Sequence, residues 1–298
     1  MDEKTIYFLW DSLQYLINGI AQGSIYALIA LGYTMVYGII RFINFAHGEF
    51  LMLGAMAGFF SLAAGYSFQV SFIIAMLSAG LVAIIVERFL YRPIRKSGRI
   101  PALITAIGAS LFFQYSFQIM FGAEPKQIPP FMAEKRYFLG QIDISNIDIV
   151  IFSVTILVLL FLWWLTHFTK LGKAMRATSF DLNAAELMGI NTNNIITFTF
   201  FLGACLAGLG GMLLSYKMPI DPMMGTNLGL KAFVSAVVGG IGLMPGAALG
   251  GYILGIAENF VSGFYKSSYR DGVSFLILIL ILLIKPAGIL GKNKKEKV

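Results

Sequence analysis

The sequence predicts an all-α membrane protein, a polytopic transmembrane helical bundle of about eight spans that includes one re-entrant or broken segment. Hydrophobic residues make up 58% of the 298-residue chain and charged residues only 12%, and the mean hydropathy is +0.79. A soluble domain of this length does not need so much apolar sequence. The apolar runs lack the alternation, in segments of about ten residues, that a transmembrane β-barrel requires. We expect residues 1–298 to form a single transmembrane domain.

Eight apolar stretches account for this count. In chain order they are 13–37, 51–64, 69–91, 101–122, 148–168, 195–216, 229–265 and 273–290. The first follows residues 1–4, which lack the basic region of a cleavable signal, so we expect this span to be retained. Gly19 and Gly23, spaced by four residues within it, predict close approach of another helix.

The distribution of lysine and arginine predicts which ends of the spans face the cytoplasm. The segments that we assign to the inner side hold 13 of these residues, largely in 88–99, 170–176 and the cytoplasmic tail 292–298, against six in the outer loops. Cytoplasmic loops carry such an excess. The net charge of +7 therefore reflects topology, and we expect no nucleic-acid partner. The N-terminus is outside if 41–49 is a cytoplasmic turn, and inside if this segment dips into the membrane.

A polar loop, 170–194, separates two strongly apolar stretches, and its second half predicts one short helix. Asn183 is a candidate N-cap, and Glu186, three residues later, can close a capping box. Gly189 is a candidate stop for the helix. We expect this loop to be cytoplasmic, because it opens with three cations and no acid.

One face of this short helix is apolar. It is formed by Phe180, Ala184, Leu187 and Met188. A short amphipathic helix on the cytoplasmic side docks into a partner's groove or lies on lipid. Only one basic residue, Arg176, lies near it, which disfavours lipid. An ordinary capped loop is the remaining alternative, and spacing alone does not decide between it and docking.

Two segments interrupt the apolar pattern and point to a transport pathway. The first, 44–49, carries His47 and Glu49 directly before an apolar run, and ionisable groups inside the bilayer are costly and usually face a pathway. The second, 239–246, holds four glycines and Pro245, which break a helix. Broken backbone at membrane depth is tolerated where protein or a water-filled cavity covers it. Paired interrupted segments are typical of transporters.

We therefore predict a pathway lined by Asn44, His47, Gly48, Glu49, Ala236, Gly239, Gly240 and Gly242. Before the glycines, the seven residues 232–238 give about 10 Å of helix, which cannot cross a core of about 30 Å. We expect a short descending helix, a break within the membrane and a longer return helix. For Glu49 we expect a joint role, in the first turn of a helix, where the dipole favours a carboxylate, and facing water. A plain cytoplasmic turn is the alternative for His47 and Glu49.

The sequence lacks motifs for enzymatic chemistry. It has no phosphate-binding loop, so we do not expect the chain itself to hydrolyse ATP. Two histidines and the single Cys205 are too few for a zinc or haem centre or a disulfide, and we expect no cofactor. Ser110, after Gly108-Ala109, is faintly similar to the serine motif of rhomboid proteases. His167, its candidate partner, lies at a different depth, so the motif does not predict a protease.

Five motifs spread along the chain are similar to those of one family. They are Asn18-Gly19-x3-Gly23-Ser24, Asn44-Phe45-Ala46-His47-Gly48-Glu49, Arg176-Ala177-x3-Asp181-x2-Ala184-Ala185-x-Leu187-Met188-Gly189-Ile190, the glycine-rich break in 229–246, and Lys285-Pro286-Ala287-Gly288-Ile289. With these motifs the chain resembles, nearly end to end, the LivH-type permeases, which are inner-membrane subunits of bacterial ATP-binding-cassette importers for branched-chain amino acids.

The resemblance implies a non-catalytic, multi-pass subunit of the bacterial cytoplasmic (inner) membrane, surrounded by lipid. Its implied partners are a homologous second permease subunit, two ATP-binding subunits and an external substrate-binding protein. The implied substrates are leucine, isoleucine and valine, although similar sequences serve urea or short-chain amides. A stand-alone secondary transporter or channel is the alternative of a different class. The loop 170–194 is then the coupling loop, docking into an ATPase through Phe180, Asp181, Ala184, Ala185, Glu186, Leu187, Met188 and Gly189.

Overall fold

The computed structural model describes residues 3–95, 97–128 and 134–291, without the side chains of Glu3 and Arg99. Three predictions fall outside the described residues: the signal-free start at Met1, the inner-side cation Lys96, and the cytoplasmic tail 292–298.

Helices make up most of the described chain. They are α1 (Glu3–Ile40), α2 (His47–Ala63), α3 (Phe68–Val86), α4 (Arg92–Ile94), α5 (Arg99–Phe121), α6 (Asn146–Phe168), α7 (Lys170–Phe180), α8 (Leu182–Leu187), α9 (Thr192–Leu214), α10 (Met224–Gly239), α11 (Met244–Phe264) and α12 (Arg270–Ile284). A π-helical turn, Glu87–Tyr91, joins α3 to α4, and a 3-10 turn, Ser267–Tyr269, precedes α12. The prediction of an all-α bundle is confirmed.

Six helical stretches in the described residues are long and apolar enough to cross a membrane, and the bent pair α10–α11 makes seven if it counts as one span. The one predicted stretch that this count leaves out is 51–64, which corresponds to α2. The 17 residues of α2 lie at the lower limit for a span. At 38 residues, α1 is about 57 Å long and so exceeds the hydrocarbon core of about 30 Å.

The two ends of the bundle differ in charge. At one end, which we call the basic end, α7 exposes Lys170, Lys173 and Arg176. Arg41, the residue after α1, donates a hydrogen bond to the carbonyl oxygen of Ser179 in α7 (3.2 Å). Therefore α1 ends at the basic end and begins at the opposite end, away from the basic loop, which is one of the two alternatives that the sequence left open.

A hairpin that the sequence analysis did not predict covers the opposite end. Strand β1 (Arg136–Leu139) pairs antiparallel with β2 (Ile142–Ser145), and Gly140 turns between them with a positive φ of 67°. The Asp143 N–H donates to Gln14 Oε1 (2.8 Å), and the Asp143 carbonyl accepts from Gln14 Nε2 (2.9 Å). This reciprocal pair ties the hairpin to α1.

Glycines let the central helices approach each other closely. In α1, Gly19 and Gly23 lie against the α11 backbone at Gly255 and Gly251. A Cβ at either α1 position would overlap that backbone, so the close packing predicted from the spacing of these glycines is confirmed. This contact holds α1 and α11 side by side.

The helices α10 and α11 form a pair that bends by 117° at the intervening break. Gly240 and Gly242 have φ values of 115° and 90°, which glycine adopts without a steric cost. The 16 residues of α10 give about 24 Å, so the predicted seven-residue arm is too short. Its first turns were missed because Gly225, Thr226 and Asn227 weaken the helical pattern there. The longer return helix is confirmed by the 21 residues of α11.

The prediction places this break within the membrane. It lies instead at the basic end, because α10 is longer than expected. Gly242 lines the same cleft as Arg176 of α7. The backbone N–H of Ile289 donates to the carbonyl oxygen of Val238 at 2.9 Å. That bond satisfies one of the carbonyls that a helix end leaves free, so the segment after α12 seals the end of α10.

Candidate functional site

The predicted coupling loop folds as two helices, α7 and α8, instead of one. Asp181 Oδ1 accepts a hydrogen bond from the N–H of Ala184 at 3.0 Å, which makes Asp181 the N-cap of α8. Asp181 has the extended conformation that an N-cap requires (φ −151°, ψ 118°). Asn183 lies inside the helix, so its prediction as the N-cap is wrong.

The far end of α8 follows the prediction in part. Gly189 has a φ of 79°, and its N–H donates to the Glu186 carbonyl oxygen at 2.9 Å, so it is the predicted stop. Glu186 does not close a capping box. Its Oε1 accepts instead from Thr192 Oγ1 at 2.5 Å, which joins α8 to the first residue of α9.

The predicted apolar face of α8 points away from the chain. Phe180, Leu187 and Met188 are 80%, 88% and 82% exposed, and Ala184 is exposed as well. Ala185 is buried and packs inward. Grouped apolar side chains that stay exposed mark an interaction surface, so the geometry offers this face to a partner.

The segment between α1 and α2 folds back into the bundle. Asn44 Oδ1 accepts from the Tyr91 hydroxyl (2.5 Å) and from the Ala46 N–H (3.1 Å). His47 Nε2 lies 3.2 Å from the carbonyl oxygen of Ile29, about 16 Å along α1 from its end at the basic side. The sequence left open whether 41–49 is a cytoplasmic turn or a dip into the membrane, and each alternative holds in part. Helix α1 ends at the basic end, and the chain then dips inward before α2 begins.

Glu49 lies in the first turn of α2, as predicted, and its side chain is fully buried. Its Oε1 accepts hydrogen bonds from Ser110 Oγ and Gln114 Nε2 of α5, both at 2.8 Å. Gln114 also hydrogen-bonds Thr226 of α10. Glu49 Oε2 has no hydrogen-bond partner among the described residues. The backbone of Gly225 covers this oxygen. The prediction that Glu49 faces water therefore does not hold in this structure.

The remaining predicted pathway residues are small and allow close backbone packing. Gly48 of α2 packs against the backbone of Gly225 and Gly229 in α10, and Gly239 packs against Gly246 across the break. Gly242 is exposed. The structure buries the others within the chain, namely Asn44, His47, Gly48, Glu49, Ala236, Gly239 and Gly240. Their lining of a pathway stays a prediction that concerns the assembled transporter.

A second buried polar cluster was not found by the sequence analysis. Lys231 Nζ of α10 lies 3.0 Å from Glu258 Oε1 of α11 and 2.8 Å from Asp271 Oδ1 at the start of α12. The fully buried Glu258 also accepts from the Tyr26 hydroxyl (2.8 Å) and from Ser274 Oγ (2.5 Å). The signal was present, since Lys231 and Glu258 are the lone charged residues of α10 and α11.

Comparison with known proteins first shows to which class of protein the chain belongs. The solved structure "PsaBC from Streptococcus pneumoniae in complex with Fab" covers 92% of both chains with a TM-score of 0.53 and 15% identity, a likeness of fold alone. A family model described as "Branched-chain amino acid transport system / permease component" matches residues 15–282. The chain is therefore a multi-pass membrane protein that belongs to this family of permease components.

Two curated relatives narrow the comparison. "High-affinity branched-chain amino acid transport system permease protein LivH" of Escherichia coli (strain K12) is 42% identical over 313 residues, with 100% of each chain covered. The corresponding protein BraD of Pseudomonas aeruginosa is 42% identical over 304 residues, covering 97% of this chain and 99% of BraD. The resemblance to LivH-type permeases is confirmed.

Proposed function

We propose that this chain is a transmembrane permease subunit of an ATP-binding-cassette importer, translocating leucine, isoleucine and valine delivered by an external binding protein. The observation that carries the proposal is 42% identity over the full length of a permease named for branched-chain amino acid transport. Because the sequence has no phosphate-binding loop, two partner ATP-binding subunits hydrolyse the ATP. A homologous second permease completes the membrane part. The excess of Lys and Arg supports a cytoplasmic position for the basic end, and the bacterial permeases to which the chain is similar support the inner membrane as the site of the spans.

Coupling to ATP hydrolysis begins at α8. Its exposed apolar face docks into a groove of one ATPase, and ATP-driven closure of the ATPase pair moves α8. Arg41 Nη2 donates to the carbonyl oxygens of Ser179 (3.2 Å) and Phe180 (3.4 Å), directly before α8. Arg41 also directly follows α1. A displacement of α8 therefore pulls on the segment that leads to residues 44–49.

The translocation pathway follows the outer face of α10 and residues 41–46, which fold back into the bundle between α1 and α2 and are here called the re-entrant segment. Thr226 and Asn227 are exposed on α10, and polar side chains in a membrane helix favour a water-filled path or a partner over lipid. Gln114 links Thr226 to the buried Glu49. The second permease closes this face, and movement of the re-entrant segment opens the interior residues to the solute.

The docking of α8 is tested by Leu187→Asp. The new carboxylate enters an apolar groove without a partner, which costs on the order of a few kcal/mol and weakens association by roughly 100-fold. We expect loss of the ATPase in affinity purification while insertion of the permease stays intact. Met218→Asp is the matched control, since it adds the same charge to a partly exposed methionine near the opposite end. Wild-type recovery of the ATPase with Leu187→Asp would contradict the docking of α8.

The role of Glu49 is tested by Glu49→Gln. The amide oxygen still accepts from Ser110 and Gln114, so we expect normal assembly but lower binding-protein-dependent uptake of leucine, because the charge is lost. Glu49→Ala also removes the acceptor of the Ser110 hydroxyl and one of the acceptors of Gln114. A buried donor without an acceptor costs about 1–3 kcal/mol, so this variant should lower the amount of folded protein. Normal uptake by Glu49→Gln, with less folded protein from Glu49→Ala, would make Glu49 purely structural.

A further inference from the structure

A cleft of about 370 Å³ opens at the basic end between α1, α6, α7 and the break. Its walls are mostly apolar and include Met35 and Ile39 of α1, Leu243 of the break and Met244, the first residue of α11. Neither the docking face of α8 nor the residues of the predicted pathway, apart from Gly242, contribute to this cleft.

Two polar groups of the cleft have no side-chain partner among the described residues. Arg176 at the rim is exposed and forms no ion pair within the described part of the chain. Thr34 lies in the wall and is 1% exposed, and its hydroxyl makes no hydrogen bond to any described residue. A buried hydroxyl without a partner costs free energy. Together, Thr34 and Arg176 therefore point to a ligand that offers a hydrogen-bonding oxygen to Thr34 and a negative charge to Arg176.

The position of the cleft relative to the bilayer follows from the end of α6. Trp163 and Trp164 are exposed there, one turn before His167, which lines the cleft. Exposed tryptophans at a span end mark the membrane–water interface. The mouth of the cleft therefore lies at the level of the lipid headgroups.

The charges of the lining favour one class of occupant. The lining includes Arg176 and His167 but no carboxylate. A zwitterionic amino acid would leave its ammonium group without a counter-charge, whereas an anionic amphiphile meets a cation at the rim and apolar walls below. Basic pockets at the cytoplasmic ends of membrane helices bind anionic lipid headgroups.

We propose that this cleft binds an anionic phospholipid. The phosphate lies against Arg176, an ester oxygen of the lipid accepts a hydrogen bond from the Thr34 hydroxyl, and the start of one acyl chain follows Met35, Ile39 and Met244. This inference goes beyond solute import and does not depend on which solute the chain carries.

Native mass spectrometry of the full-length chain, with the subunits that co-purify, tests the site. The sample is stripped of bulk lipid and titrated with phosphatidylglycerol or, as the zwitterionic comparison, phosphatidylethanolamine. Arg176→Gln should weaken phosphatidylglycerol binding about five-fold, the equivalent of ~1 kcal/mol for one cation at an anionic headgroup. Lys173→Gln is the matched control, because Lys173 is exposed on the same helix and does not line the cleft. It should leave binding unchanged.

Two cleft variants separate the site from general surface attraction. Thr34→Val keeps the shape and removes the hydroxyl, and it should weaken both lipids equally. Gly38→Leu places a side chain in the cleft, where an added Cβ comes no closer than 3.9 Å to other atoms, and it should abolish tight binding of phosphatidylglycerol. Equal binding of the two lipids, unchanged binding by Arg176→Gln or Gly38→Leu, or displacement of phosphatidylglycerol by free leucine would each overturn the proposal.

Discussion

Replacing Gly48 by valine is expected to remove most of the folded protein from the membrane. A Cβ at Gly48 would overlap the carbonyl of Gly225 and the Cα of Gly229. These are backbone atoms, which cannot turn aside as a side chain would, so α2 and α10 must separate. Overpacking of this kind costs about 1–3 kcal/mol, and more where the neighbour is rigid. The separation also disturbs the hydrogen bonds of Glu49 to Ser110 and Gln114 of α5, because Glu49 is the next residue of α2. Gln114 in turn hydrogen-bonds Thr226 of α10.

The measurement is the yield of monodisperse protein in size-exclusion chromatography of detergent extracts. Gly108→Val is the matched control, since an added Cβ at Gly108 of α5 meets no atom within 4 Å. We expect a wild-type yield from Gly108→Val and a small fraction of it from Gly48→Val. Equal yields would mean that α10 can move away from α2 at little cost, and the close contact would then not be essential to the fold.

Lys231→Met is expected to give the largest loss of stability among single charge removals. It removes the cation nearest to the buried carboxylate of Glu258 (3.0 Å) and leaves Arg270 Nε, 4.0 Å from Glu258 Oε2, as the remaining one. Breaking a buried ion pair by removing one partner costs roughly 3–5 kcal/mol when the remaining charge is uncompensated, and the more distant Arg270 lowers that cost. The hydroxyls of Tyr26 and Ser274 still donate to Glu258, but they cannot supply a charge. The melting temperature of the purified protein measures the effect.

Two further variants make this result specific to the buried pair. Lys217→Met removes the cation of another lysine–carboxylate pair, with Asp148. This pair is more exposed (25% and 16%) than Lys231 and Glu258 (13% and 0%), so its loss should lower the melting temperature less. The double variant Lys231→Met/Glu258→Gln removes both buried charges and should recover most of the melting temperature. Failure of the double variant to recover would show that the lysine stabilises the fold by another route, such as its pair with Asp271.

The helices and the end of the coupling loop were predictable because the signals are local. Gly189 ends α8 through its own φ, and long apolar runs suffice to place the spans. The start of α8 was missed because, in the sequence alone, Asn183 with Glu186 matches an N-terminal capping pattern as well as Asp181 does. Asp181 is preferred because α7 ends there in an extended conformation, and α7 itself was not expected. Neighbouring helices therefore decided between two local signals of similar strength.

The polar contacts inside the bundle were not predictable in the same way. The sequence singled out Glu49 as an ionisable group beside an apolar run, but its partners Ser110 and Gln114 lie more than sixty residues away on α5. Their spacing of four residues, on one face of an otherwise apolar helix, was the available hint. The hairpin β1–β2 was missed because each strand has four residues and the flanking segment carries prolines and charges.

The bent pair also bears on how the chain enters the bilayer during synthesis. Taken alone, α10 carries Lys231 and α11 carries Glu258, and each charge opposes release of a single helix into lipid by about 2.5–3.5 kcal/mol on translocon scales. Across the bend the two charges lie 3.0 Å apart and neutralise each other. The bend thus lets the two limbs leave the translocon together as one neutral helical hairpin, with a partition free energy that neither limb has by itself.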